Sequence, residues 1–126
     1  MIIAVSAAGT EFDSPVDPRF GRCRYFVFYD TETKQLEAQP NTAGQLGGGA
    51  GVQAAQQISD KGAQVVLTGN VGPNAHQALS AAEITICTGA SGTIREAVER
   101  YAAGGFGKTD GPTVAPHHGM KPRGGA

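Results

Sequence analysis

The chain has 126 residues, 40% of them hydrophobic, and ten basic against eleven acidic side chains give a net charge of −1. This length suits one compact domain with a single core, the charge balance lacks the basic footprint of a protein that tracks nucleic acid, and no apolar run approaches the ~20 residues that cross a bilayer. Two widely separated cysteines, Cys23 and Cys87, do not make a secreted disulfide framework, and no basic segment with an apolar h-region opens the chain, so a cytoplasmic protein with free thiols is expected. Glycine, at 19 residues, is more than twice the usual ~7% share and calls for turns or close backbone approaches.

The opening MIIAVS reads as a strand buried on both faces over about residues 2–6, ending at Ala7-Ala8-Gly9. After a polar loop with Pro15 and Pro18, RYFVFYD is an aromatic strand to Asp30, TETK a turn, and QLEAQP a shorter strand that closes a hairpin. The glycine-rich NTAGQLGGGAG precedes a helix with Val52, Ala55 and Ile58 at helical spacing, stopped at Gly62. A buried strand over about 64–68 runs into GNVGP, where Pro73 suits the first position of a helix carrying Ala75, Ala78, Leu79 and Ala82 on one face. The pattern repeats with a strand at about 84–88 and a helix of apolar stripe Ile94, Ala97, Val98 and Tyr101, opened by a Thr93/Glu96 capping box and stopped at Gly104-Gly105. Residues 104–126 are Gly/Pro-rich and aperiodic, a tail expected to be flexible on its own; Lys108, Lys121 and Arg123 against Asp110 leave it at +2 and the body, residues 1–103, at −3.

The order β-β-β-α-β-α-β-α makes an α/β domain. With the first, third, fourth and fifth strands parallel and the second antiparallel, the loops 7–22, 41–51, 69–73 and 89–93 all fall beyond the carboxyl ends of the parallel strands, where ligands of open α/β sheets bind. GGGAG, GNVGP and GASGT each precede a helix and offer free backbone N–H groups at a positive dipole end, an arrangement suited to an anion. The candidate binding residues in these loops are Gly47, Gly48, Gly49 and Gly51, then Gly69, Asn70 and Gly72, then Gly89, Ser91, Gly92 and Thr93. None of the loops matches a Walker phosphate loop or GxGxxG at a first βα turn.

DPRFGRCRYF (17–26) adds Arg19, Phe20, Gly21 and Arg22 to the same edge and places Cys23 between Arg22 and Arg24. Neighbouring cations favour a thiolate, which opens metal ligation, nucleophilic chemistry and anion holding; the alternative is a small half-buried cysteine whose arginines cover the start of a strand. Cys87, within ITIC, reads as a packed core thiol, and His76 in the first turn of the second helix as a neutral wall residue or weak ligand. Asn74 and Asn70 suit either anion donation or turn and cap geometry. The adjacent His117 and His118 lie in the tail, where they suit solvation or an accessory metal site that folds over a ligand.

SPVDPRFGRCRYF, GGGAGVQAAQQISDKGAQVVLTGNVGPNAHQAL and SGTIREAVERY, in this order and spacing, resemble the dinitrogenase iron-molybdenum cofactor biosynthesis family over about residues 1–103. The resemblance implies a ribonuclease-H-like three-layer domain, with a mixed five-stranded sheet ordered 3-2-1-4-5 and three helices. It also implies the binding or carrying of an iron-sulfur or molybdenum-containing sulfide cluster; a non-enzymatic carrier or scaffold is therefore expected, with metallocluster assembly proteins as candidate partners and a monomer or weak homo-oligomer as the assembly. IIAVS carries no carboxylate to hold a nuclease metal. A protein-ligated iron-sulfur cluster takes about four cysteines where this chain has two, and the implied order would put Cys87 roughly 14 Å from the second strand. Electrostatic seating of a preformed anionic cluster is therefore the expectation, with Cys23, His117 and His118 as candidate metal ligands; a regulatory module for a phosphorylated metabolite or nucleotide is the alternative.

Overall fold

Period-two burial along each strand determines how the sheet is used. In the computed structural model, which describes residues 1–42 and 49–106, β1 (Ile2–Ala7) sends Ala4 to one core and Ile3, Val5 and Ala7 to another, the alternation that a pleated backbone imposes. β2 (Tyr25–Asp30) and β3 (Leu36–Pro40) form the hairpin, and β4 (Val65–Leu67) and β5 (Thr85–Cys87) are the two short strands after it. The sheet order is β3-β2-β1-β4-β5. β2 is antiparallel to both β1 and β3, while β1, β4 and β5 run parallel. Order and directions agree with the expectation.

The helices α1 (Ala50–Asp60), α2 (Pro73–Ala81) and α3 (Ile94–Ala102) divide unequally between the faces. Ala54, Ala55 and Ile58 of α1 and Ala75 and Leu79 of α2 pack with Phe26, Phe28, Val66 and Ile86 on one side. Ile94, Ala97 and Val98 of α3 pack with Val27, Val65 and Leu67 on the other. Cys23 belongs to the first core and Cys87 to the second, both as free thiols, so the sheet itself separates them as β1 and β4 do laterally.

Past α3 the chain turns back on the helix: Arg100 Nε donates to Gly105 O at 3.0 Å, and the guanidinium lies 3.9 Å from the Phe106 ring centroid. The remainder of the expected tail, with His117 and His118, lies outside the described residues, as do Gly47 and Gly48. Among the described residues no helix is long and apolar enough to cross a membrane.

Candidate functional site

Two helices begin side by side on the same sheet edge, and neither is closed by a side chain. α1 starts from Gly49, whose φ of 73° is left-handed, and α2 from the extended Gly72 with Pro73 at its first position; neither has a side-chain cap hydrogen bond. First-turn N–H groups that no side chain satisfies look for another acceptor, and the dipole end there is positive. Gly51 makes the juxtaposition sterically feasible, because a Cβ there would lie 2.9 Å from Ala75 Cβ and 3.2 Å from Ala75 N.

The arginine-bearing loop closes the third side. Pro18 sits so close to Gly69 that a Cβ on the glycine would be 2.6 Å from Pro18 Cα. Asn70 N donates to Pro18 O at 2.7 Å and Phe20 N to Asn70 O at 3.3 Å. The buried Asn41 amide donates to Gly21 O at 3.2 Å and Cys23 O at 2.9 Å, holding the turn from beneath. These elements enclose an open cleft of about 410 Å³ whose walls include Arg19, Phe20, Gly21, Arg22, Gly51, Asn70 and Gly72, all expected from the sequence. Ala50, Pro73, Asn74 and Ala75 complete it. The two alanines carry no chemical signal in the sequence; they line the cleft because they occupy helix first turns.

The arginines differ in what they have left to offer. Arg22 is exposed and makes no ion pair or side-chain hydrogen bond among the described residues. Arg19 is already engaged, with Nε 3.1 Å from Asp17 Oδ1 and Nη2 3.1 Å from Oδ2. Arg24 is exposed and lies outside the cleft wall.

Cys23 follows the second of its two readings, a packed cysteine beside outward-facing arginines. It is 3% exposed, and its Sγ donates to Phe20 O at 3.3 Å. Burial pushes the thiol up to about 12 from an ordinary 9.0; a backbone contact at Ala7 acts against this, Asp17 adds to it, and Arg19 opposes it weakly. Proximity to guanidiniums in sequence does not become proximity in charge, because the arginines point to solvent while the thiol points into the core. His76 is half-buried on α2 and stands outside the cleft wall.

The GASGT loop differs from its expected role. Thr93 accepts from Glu96 N and the Glu96 carboxylate accepts from Thr93 N, a complete capping box. Ile94 N and Arg95 N donate to Ser14 O and Phe12 O of the loop after β1, and Val16 N donates to Gly92 O. An intramolecular carboxylate and two carbonyls thus occupy the place an anion would take, on the opposite face of the sheet from α1 and α2. Gly89, Ser91, Gly92 and Thr93 therefore stand apart from the cleft; Gly49 and Gly69 support it without lining it.

Backbone dipoles, the Arg22 guanidinium, unpaired among the described residues, and apolar walls meet at this cleft of the α/β domain. No three His, Cys, Asp or Glu side chains come together to hold a metal ion among the described residues. The chain belongs to the dinitrogenase iron-molybdenum cofactor family, whose model matches residues 1–104, and this membership points to a role connected with a metal cluster. It is similar to the apo form of the orange protein from Desulfovibrio gigas, with 44% identity, a TM-score of 0.86, and coverage of 88% of this chain and 94% of that one. A Thermotoga protein described as a NifB candidate of the DUF35 family is 32% identical, with a TM-score of 0.75 over 85% of this chain and 91% of the other. An uncharacterised protein of Methanocaldococcus jannaschii is 27% identical over 92 residues, 71% of this chain and 78% of its own.

Proposed function

We propose that this protein binds, carries or scaffolds an anionic metal-sulfide cluster, iron-sulfur or molybdenum-containing, in the cleft between the α1 and α2 amino ends and the Arg19–Arg22 turn, and that it hands the cluster to assembly proteins without itself being an enzyme. The observation that carries this reading is the pair of helices lacking side-chain caps that converge on Arg22, beside a thiol kept neutral by burial. A cluster held by protein thiolates needs several of them. Two buried cysteines on opposite faces of the sheet and no three-residue ligand group among the described residues leave backbone N–H groups, guanidinium charge and the apolar surfaces of Ala50 and Pro73 as the means of retention. Those surfaces suit the soft, weakly hydrated exterior of a metal sulfide, and the donors suit its negative charge.

The test is anaerobic incubation of cluster-free protein with tetrathiomolybdate, and separately with iron and sulfide, followed by gel filtration, visible absorption and metal analysis. Retained colour and metal in the wild type, reduced in Arg22→Ala, are expected; no retention from either mixture disproves the reading. The same anion chemistry also serves a phosphorylated metabolite or nucleotide. A thermal-shift series comparing thiometallates with nucleotides separates the two, since tighter binding to the native state raises Tm further.

A further inference from the structure

We propose that Asp17 is a specificity-determining residue of this cleft, an internal counter-ion that holds Arg19 and limits the positive charge presented to an anion. This rests on the reading of the cleft as an anion site. Asp17 is 6% exposed and anchored at both backbone ends, with its N donating to Ser6 O at 2.9 Å and its O accepting from Ser6 Oγ at 2.6 Å. The carboxylate consequently has a fixed position from which Oδ1 accepts from Arg19 N at 3.0 Å and Nε at 3.1 Å, while Oδ2 accepts from Nη2 at 3.1 Å. Arg19, whose side chain is 65% exposed, forms part of the cleft wall; Asp17 does not.

Two competing acceptors therefore share one guanidinium. Turning the Arg19 fork fully toward a ligand would leave a buried carboxylate without its cation, a costly state, so Nε and one Nη2–H stay on Asp17 and only the Nη1 N–H groups and the second Nη2–H remain for the ligand. The cleft then offers the whole charge of Arg22 but little of Arg19. Such a device keeps binding weak enough for hand-over and discriminates against highly charged anions, because Coulomb energy scales with ligand charge. Its signature is a sign reversal: removing a residue that merely supports the cleft weakens binding, whereas removing a counter-ion strengthens it.

The test compares wild type with Asp17→Asn, which retains an oxygen for the Arg19 N–H, using two tetrahedral probes of different charge, tetrathiomolybdate (2−) and perrhenate (1−), in titration calorimetry at low salt. Asp17→Asn is expected to bind tetrathiomolybdate about fivefold more tightly, the scale of one partly exposed ion pair, and perrhenate about twofold more tightly, as half the charge gains half the energy. The gain is expected to vanish in Asp17→Asn with Arg19→Gln, because it acts through Arg19. Equal or weaker tetrathiomolybdate binding by a folded Asp17→Asn protein overturns the proposal, as does a gain that persists without Arg19. Should Asp17→Asn not fold, Asp17→Ser, whose hydroxyl can still accept from the Arg19 N–H, carries the same expectations. Absence of binding in the wild type defeats the anion-site reading and, with it, the inference that rests on it. The pairing itself is then read by exchange of the Arg19 Nε–H in nitrogen-15 NMR, slow in wild type and fast in the variant; no change there shows that Asp17 does not hold Arg19 at all.

Discussion

Arg19, Arg22 and Cys23 lie within five residues, yet the fold gives each a different chemical state. Arg22 has no partner among the described residues, Arg19 shares its fork with Asp17, and Cys23 faces the core. Replacing Arg22 by Ala should weaken tetrathiomolybdate uptake about tenfold, the order of one or two charge-assisted hydrogen bonds. Cys23→Ser should leave uptake little changed, since a hydroxyl can still donate to Phe20 O; titration of the two variants in one reconstitution series checks the ranking, and the reverse order would restore the cysteine as the principal ligand. The thiol also makes a pH prediction. The native state holds its proton up to about 12 while the unfolded chain releases it near 9.0, so the native state binds more protons between these values and the Cys23 contribution to stability, fully present below pH 9, is lost as pH rises through that window. Urea unfolding at pH 7 and pH 10 should show a larger loss of stability for wild type than for Cys23→Ser. The residue pattern announced a charged turn around a thiol, but which side chain faces the core and which faces solvent depended on how the turn is tied to Asn41 and Asn70.

Among the elements, three glycine-led loops look alike in sequence and two of them build the cleft. What distinguishes the third is legible in retrospect: the Thr93/Glu96 capping box was apparent, and a helix start already supplied with its own carboxylate has less to offer an external anion. The closure by Phe12, Ser14 and Val16 was not apparent, because it depends on the loop after β1 crossing to the α3 face. Thr93→Ala should therefore cost about 1 kcal/mol of stability and leave anion uptake unchanged, measured by thermal unfolding and titration of the same sample. Gly51→Ala should do more. Helix propensity favours alanine by about 1 kcal/mol, but a Cβ 2.9 Å from Ala75 Cβ forces α1 and α2 apart, and overpacking of this kind costs about 1–3 kcal/mol. The clash wins, so a lower Tm together with weaker uptake is expected, in contrast to Thr93→Ala.

On the scale of the whole molecule, the sheet serves two separate purposes. On the α3 face the sealed helix start closes the carboxyl-edge rim, whereas the α1/α2 face leaves that rim open as the cleft. Phe106, the last described residue, rests on Arg100, and a chain ending at residue 106 tests what lies beyond it. Uptake by that shortened chain, compared with His117→Ala/His118→Ala in the full chain, measures any accessory contribution of the two histidines; equal uptake in all three proteins removes them from the site.

Eight elements and the α/β class were legible in the residues, because apolar periodicity, helix-start chemistry and glycine stops are local properties that tertiary context did not override; gathering the glycine loops on one edge also required the strand directions, which local properties do not fix. Tertiary structure decided which loops remain open, which arginine is unpaired and which way Cys23 points. Those outcomes depend on contacts between segments far apart in the chain, such as Asn41 with the 21–23 turn and Ser14 with α3, and on burial, which with Asp17 keeps the thiol of a cysteine among arginines protonated.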